Sequence, residues 1–248
     1  MNHHRYEQAV LDLAGPLAST FEHYHAGPNA TVTAALRHAA SNAANNDDAQ
    51  WVYLQGAVGS GRTHLLLATC NHAREHQRTA YYFSLDGRQP ELSPQHLQGL
   101  EQAALIALDD IDAIAARPAW EESLFHLLNR WREAGVSLIM SAVEGPGAAG
   151  FQLPDLRSRL GWGQRYRLQP LSDEDLAQVL AIHADARGLP LDQRIINYLL
   201  THASRDTRDL LQILDRLRQA VFADKRRPSL RLAAEIVAAW SSPSDHTT

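Results

Sequence analysis

The chain has 248 residues, of which 45% are hydrophobic and 21% charged, with a formal net charge of -5 at pH 7. These proportions exclude a mainly disordered chain, which could not bury enough apolar surface to offset its conformational entropy. The mild negative charge argues against a domain that grips nucleic acid through a broad basic face. The single cysteine, Cys70, excludes an internal disulfide and any multi-cysteine zinc site.

The length corresponds to roughly one and a half to two domains. Residues 1–20 carry no sustained period and read as a flexible arm. They lack the apolar stretch of a signal peptide, and no run of about 18 apolar residues follows anywhere, so a cytoplasmic location without membrane contact is expected. Thr31 to Ala44 has helical character and ends in a polar loop. Trp51-Val52-Tyr53-Leu54 is a short run of β-formers that fits a strand buried on both faces. A helix follows from Arg62 to His76, then strands at Thr79–Leu85 and Ala104–Leu108. Trp120 to Ala134 reads as a helix, with Leu124, Leu127, Leu128 and Trp131 on one face, and Val136–Ser141 as a further strand. Strands alternating with helices imply an α/β fold with a parallel sheet and ligand sites at the strands' carboxyl ends.

After Pro170 the pattern is helical alone: Ser172–Ala186, Asp192–Ala203, Asp206–Phe222 and Leu230–Trp240. Ser172 is placed to cap the first, with Leu171 as a hydrophobic staple and acids in the first turn. The expected organisation is therefore an arm over 1–20, an α/β domain over 21–170, a small helical domain over 171–240 and a disordered tail over 241–248.

The chemistry begins at Gly56-Ala57-Val58-Gly59-Ser60-Gly61-Arg62-Thr63, between a predicted strand and a predicted helix. The spacing is that of a P-loop, with Arg62 where lysine is usual. Such glycines let successive backbone N–H groups turn inward, and the helix start adds positive potential for a polyphosphate. Thr63 is positioned to place its hydroxyl on Mg²⁺. Arg62 keeps the charge but is planar and bulkier than an ammonium. Lys225 is the only lysine in the chain, so arginine here reflects a general bias.

Leu105-Ile106-Ala107-Leu108-Asp109-Asp110 is four apolar residues followed by two carboxylates. Asp109 at the strand end would hold Mg²⁺, and Asp110 would orient an attacking water. Asp112 reads as a surface or helix-cap carboxylate. Cys70 reads as a core thiol. His3-His4 and His23-x-His25 lack a third ligand at persuasive spacing, so no metal site is assigned to them.

Leu153-Pro154-Asp155-Leu156-Arg157-Ser158-Arg159-Leu160-Gly161-Trp162-Gly163 resembles the arginine-finger box of the AAA+ replication initiator family, DnaA. Leu168 to Asp175 and Gly61-Arg62-Thr63-His64-Leu65 are closer to the Hda-type regulatory inactivators, a branch of that family. The resemblance spans about Phe21 to Trp240. The initiator's C-terminal DNA-reading domain has no counterpart in residues 241–248, and this shorter architecture matches the inactivators.

The resemblance implies an AAA+ P-loop NTPase fold followed by a helical lid, and it assigns roles. Arg159 is similar to the finger that one AAA+ subunit extends into a neighbour's nucleotide site; the alternative is an ordinary helix-surface salt bridge. Arg208 resembles the lid arginine that touches phosphates in its own site, although Arg205, Asp206 and Asp209 offer local pairing instead. Gly56, Gly59, Ser60, Gly61, Arg62, Thr63 and His64 would surround the phosphates. Phe21, Tyr24 and Asn29 resemble the segment around the adenine, with core packing the alternative for Phe21. Ser141 falls near the sensor position and Val143 stands where the initiator has an acid. With Arg62, this implies weak hydrolysis of the chain's own nucleotide, with ADP favoured. Gln8-Ala9-Val10-Leu11-Asp12-Leu13 resembles the clamp-binding peptide of the inactivators through Gln8, Leu11 and Leu13.

The expected function is a regulatory inactivator of DnaA. It would bind ADP or ATP with Mg²⁺, dock on the DNA polymerase sliding clamp, meet DNA only indirectly and stimulate hydrolysis of the initiator's ATP through Arg159. A homodimer stays open. The rival reading is an AAA+ ATPase or loader that hydrolyses its own ATP; a third is a structural adaptor.

Overall fold

A computed structural model describes residues 19–41, 49–223 and 227–240. The candidate clamp peptide, with Gln8, Leu11 and Leu13, and the tail after Trp240 lie outside them. The chain divides into two compact units: one holds Pro28–Gln169 with the residues up to Phe21, the other holds Glu22–Gly27 with Pro170 onward.

In the first unit the order is α1 (Ala30–Ser41), β1 (Trp51–Gln55), α2 (Arg62–Glu75), β2 (Ala80–Ser84), β3 (Leu105–Asp109), α3 (Pro118–Glu133), β4 (Ser137–Ala142), α4 (Pro154–Leu160) and β5 (Gln164–Arg167). The five strands form one sheet in the order β2-β3-β4-β1-β5, with every pairing parallel. The central strands read as apolar runs because both faces are covered: every residue of β3 and β4 is buried. On α3 the stripe Leu124, Leu127, Leu128 and Trp131 is buried, as its helical spacing predicts. Cys70 is fully buried on α2, its Sγ 3.6 Å from the Tyr81 carbonyl, and burial pushes its thiol up to about 12.

Two elements differ from the sequence expectation. The stretch between Ser141 and Pro170 carries α4 and β5, neither of which the patterning announced. β5 has the sequence Gln-Arg-Tyr-Arg and no buried residue. It is an edge strand held by backbone pairing to β1, so it shows no apolar signal. Gly163 allows this pairing: a Cβ there would lie 2.5 Å from the Trp51 carbonyl oxygen.

The second unit contains α5 (Asp173–Ala186), α6 (Gln193–His202), α7 (Thr207–Ala223) and α8 (Leu230–Trp240) around a Leu/Ile core. Ser172 caps α5: its hydroxyl accepts the Asp175 N–H at 3.1 Å and the Asp175 carboxylate accepts the Ser172 N–H at 3.0 Å. Leu171 packs against the core as a staple. Asp192 caps α6 by accepting the Ile195 N–H at 2.9 Å. Among the described residues, no helix is long and apolar enough to cross a membrane.

Candidate functional site: a phosphate loop and a ring-packed arginine

The carboxyl ends of β1, β3 and β4 meet because β1 and β3 flank β4. The loop after β1 is pinned at its start, where the Gly56 N–H donates to the Ala142 carbonyl at 3.1 Å. A Cβ at Gly56 would sit 2.5 Å from Ser60 Oγ and 3.2 Å from Leu168 Cβ, so a side chain there would displace the Ser60 hydroxyl. Gly59 at φ 80 and Gly61 at φ 90 occupy the left-handed region, which curls the loop onto the start of α2. The first-turn amides of a helix have no partner within it. Ser60 Oγ and Arg62 Nη1 are also buried without a hydrogen bond. Orphaned donors grouped around a helix start fit a polyphosphate, whose oxygens would satisfy them.

Arg62 is 8% exposed, and its Nη1 lies 3.0 Å from Asp110 Oδ1. The contact is between charges and not along an N–H direction, which is why that nitrogen still lacks a hydrogen bond. Asp110 follows β3 in the left-handed region at φ 53, unusual for a residue with a side chain. Its N–H donates to Ser141 Oγ at 3.1 Å, which ties this conformation to β4. Burial, then the neighbouring Asp109, push the Asp110 carboxyl above its ordinary range although Arg62 pulls it down.

Asp109 is 1% exposed and accepts from three hydroxyls. Thr63 donates to Oδ2 at 2.6 Å, Tyr82 donates to Oδ2 at 2.9 Å, and Ser141 donates to Oδ1. The sheet register explains Tyr82: it pairs with Ala107, so Asp109 stands one same-face step further along β3. Burial raises the Tyr82 phenol strongly, so it stays a donor. Thr63 Oγ beside the Asp109 carboxylate is a hard oxygen pair of the kind Mg²⁺ takes. Asp112 accepts the Val143 N–H at 2.9 Å, fixing the exit from β4 rather than capping a helix. The Val143 side chain is 37% exposed.

Arg159 lies in the last turn of α4. Its guanidinium carbon stands 4.3 Å from the Trp162 ring centroid and 4.7 Å from that of Phe125 on α3. Nε is buried without a hydrogen-bond partner. Among the described residues no carboxylate pairs with it; rings hold the group where a salt bridge was the alternative. The N-terminal end of α4 is set by Glu121, a 2% exposed carboxylate in the first turn of α3. Glu121 accepts the N–H groups of Ala116 at 2.7 Å, Gln152 at 2.9 Å and Leu153 at 2.7 Å. Sequence reading missed Glu121, Tyr82 and the two rings. An acid in the first turn of an amphipathic helix was the available sign for Glu121; the others had none.

His64 Nε2 is 2.8 Å from the Thr20 carbonyl. Phe21 is 4% exposed, with the Arg37 guanidinium 4.5 Å over its ring and His72 edge-on at 5.6 Å. Asn29 is buried and locks onto the Gln169 backbone, donating to its carbonyl at 3.1 Å and accepting its N–H at 2.8 Å. Tyr24 is half-buried in the Glu22–Gly27 segment of the second unit. Arg208 is exposed in the first turn of α7, where its N–H donates to Asp206 Oδ1 at 2.7 Å. Arg205 pairs with Asp173 at 2.9 Å.

A parallel β2-β3-β4-β1-β5 sheet with a P-loop after β1 and paired carboxylates after β3, followed along the chain by a helical unit, defines a P-loop NTPase of the AAA+ class. Residues 17–166 match the model of the bacterial DnaA ATPase domain, and residues 173–230 match that of the Hda lid domain. The chain belongs to the DnaA ATPase family and carries an Hda-type lid. Its fold is similar to domain III of the replication initiation protein DnaA from Thermotoga maritima: TM-score 0.78 and 18% identity, covering 91% of this chain and 98% of that one. AMPPCP-bound DnaA from Aquifex aeolicus gives a TM-score of 0.65 at 19% identity, covering 79% of this chain. This chain spans 63% of that longer initiator. The Thermotoga maritima RuvB Holliday junction branch migration motor gives 0.62 at 16% identity, over 85% of this chain and 68% of that one.

Proposed function

We propose that this protein is a regulatory inactivator of the replication initiator DnaA. It holds an adenine nucleotide, ADP in the resting form, in its own P-loop. It docks on the sliding clamp through Gln8, Leu11 and Leu13, and offers Arg159 to the ATP bound by the initiator. The match to the Hda lid supports the placement. The observation that carries the reading is Arg159: a guanidinium on a helix end, unpaired among the described residues and held between two rings.

In this mechanism Gly59, Ser60, Gly61 and Arg62 bind the phosphates of the chain's own nucleotide, and Thr63 with Asp109 would hold Mg²⁺. Mg²⁺ supplies charge neutralisation across the phosphate oxygens. Ser141, Tyr82 and Thr63 fix the Asp109 carboxylate. Asp110 faces Arg62, a contact that opposes its use as a water-orienting base and keeps the site quiet. In the neighbouring subunit's site, the Arg159 Nη groups donate to oxygens of the terminal phosphate as water attacks. Their charge stabilises the transferred group, an effect worth about 10³–10⁵ in rate for fingers supplied in trans to GTPases. Phe125 and Trp162 keep the plane of the guanidinium fixed, so less rotamer entropy is lost when it engages.

The test mixes initiator loaded with labelled ATP, clamp on DNA and this protein, and follows conversion to ADP. Conversion is expected with the wild-type chain and lost with Arg159→Ala. Unchanged conversion by Arg159→Ala refutes the mechanism. The rival, a motor hydrolysing its own ATP, draws on the intact Thr63–Asp109–Ser141 set. Single-turnover hydrolysis by the isolated chain, abolished by Asp110→Asn, would favour it.

A further inference from the structure

Trp162 carries a second cation that the arginine finger does not explain. Arg132, in the last turn of α3, places its guanidinium carbon 4.2 Å from the Trp162 centroid and 5.9 Å from that of Trp51. Arg159 is 4.3 Å from the same Trp162 ring. The two guanidiniums therefore cannot be further apart than those two distances together. Among the described residues neither has a carboxylate partner, whereas the neighbouring Arg130 is paired with Glu101 at 3.6 Å.

A cation at a helix C-terminus is expected from the helix dipole alone. That accounts for the charge of Arg132 but not for its stacking. Single arginine–ring contacts are also common in folded proteins. Two uncompensated cations on one indole are different, because like charges at this separation repel unless an anion joins them. The indole is 40% exposed, so the site is open. The backbone that carries it is anchored: the Trp162 main-chain N–H donates to the Arg159 carbonyl at 3.0 Å, and the Gly163–Trp51 contact holds the chain just beyond it.

We infer that Arg132 and Arg159, both packed against Trp162, form a paired-cation site for the phosphate chain of a nucleoside triphosphate held by a neighbouring AAA+ subunit. Arg159 takes the terminal phosphate, Arg132 takes an adjacent one, and Trp162 is the positioning residue that spaces them. This rests on the proposed function and extends it to a second contact. Guanidiniums suit the task because their planar fork matches phosphate oxygens while their faces stack on rings.

The experiment uses the full chain, initiator loaded with ATP or ADP, and clamp on DNA. Arg132→Gln is expected to lower stimulated hydrolysis about tenfold at subsaturating concentration, the scale of one charge-assisted hydrogen bond. It should also weaken binding of ATP-loaded and ADP-loaded initiator alike, since the adjacent phosphate is present in both, leaving the preference for ATP to Arg159. Arg132→Lys should restore part of both, and Trp162→Phe more than Trp162→Ala. If Arg132→Gln keeps wild-type hydrolysis and binding while Arg159→Ala loses hydrolysis, the paired site is refuted and the proposed function stands. If Arg159→Ala also keeps hydrolysis, the proposed function itself fails. If Arg132→Gln instead weakens binding of duplex DNA alone, with a shallower salt dependence, the ligand is nucleic acid and the inference is overturned.

Discussion

Glu121 makes a demanding test of how the arginine-bearing helix is held in place. Its carboxylate is 2% exposed and meets three backbone N–H groups, two of them at Gln152 and Leu153 immediately before α4. Glu121→Gln keeps the shape and one acceptor oxygen but turns the other acceptor into a donor, so at least one buried N–H faces another N–H. A hydrogen bond to a charged group is worth about 1.5–3 kcal/mol, and a buried donor left unmatched costs about 1–3 kcal/mol. The change also removes a buried charge that no cation partners among the described residues, which returns part of its desolvation cost. The net expectation is a loss of about 2 kcal/mol. For a unit of this size that lowers the thermal midpoint by about 4–8 °C.

Calorimetry of the full chain reads the midpoint, and Glu121→Ala, which strips all three amides, should fall further than Glu121→Gln. A Glu121→Gln protein that melts within about 1 °C of wild type, well inside the per-kcal shift, would refute the view that this carboxylate anchors the start of α4.

Two further tests concern hydrogen bonds to carboxylates. Tyr82→Phe removes one of three donors to Asp109 and should cost about 1–2 kcal/mol in denaturant unfolding; an unchanged midpoint means that Thr63 and Ser141 suffice. In the helical unit, hydrogen bonds from Ser172 and then His25 lower the Asp175 carboxyl to about 2, against about 3.9 when unfolded. A lowered folded value means stability that is complete above the unfolded value and lost as pH falls from about 4 towards 2. Asp175→Asn should flatten that acid limb in unfolding measured against pH, and an unaltered limb would exclude the Asp175 cluster as its source.

The parts of the fold that follow a period were legible. β1, β3 and β4 announced themselves as apolar runs because both faces are covered, and the α3 stripe as spaced leucines. The P-loop was legible for a similar reason: Gly59 and Gly61 are required by backbone geometry, and geometry leaves a local mark in the chain. β5 and α4 were not, since one is an exposed edge strand and the other has seven residues. Long-range polar contacts left no mark either. Tyr82 reaches Asp109 only through the β2–β3 register, and Glu121 reaches Gln152 only through the packing of α3. Nothing local in the chain marked Phe125 and Trp162 as the rings against which Arg159 rests.

The two arginines at the centre of this reading behave oppositely, and the difference lies in their neighbours. Arg62 is buried where a compact ammonium is usual, and its broad fork reaches Asp110 in its own subunit. Bringing a water under Asp110 would require breaking that contact around a carboxyl already raised by burial and by Asp109. Such a loop suits holding a nucleotide better than turning it over. Arg159 has rings for neighbours, and rings do not neutralise a guanidinium: they orient its plane and leave its full charge for an anion. A cation spent inside its own site and another kept unspent beside an open indole are what a protein needs if it retains its own nucleotide and acts on a partner's. Exchanging these characters is therefore informative. Arg62→Lys should free Asp110 and raise the chain's own hydrolysis while leaving the Arg159 stack intact, and a chain that stays silent with lysine in the loop would place the block elsewhere, at Val143.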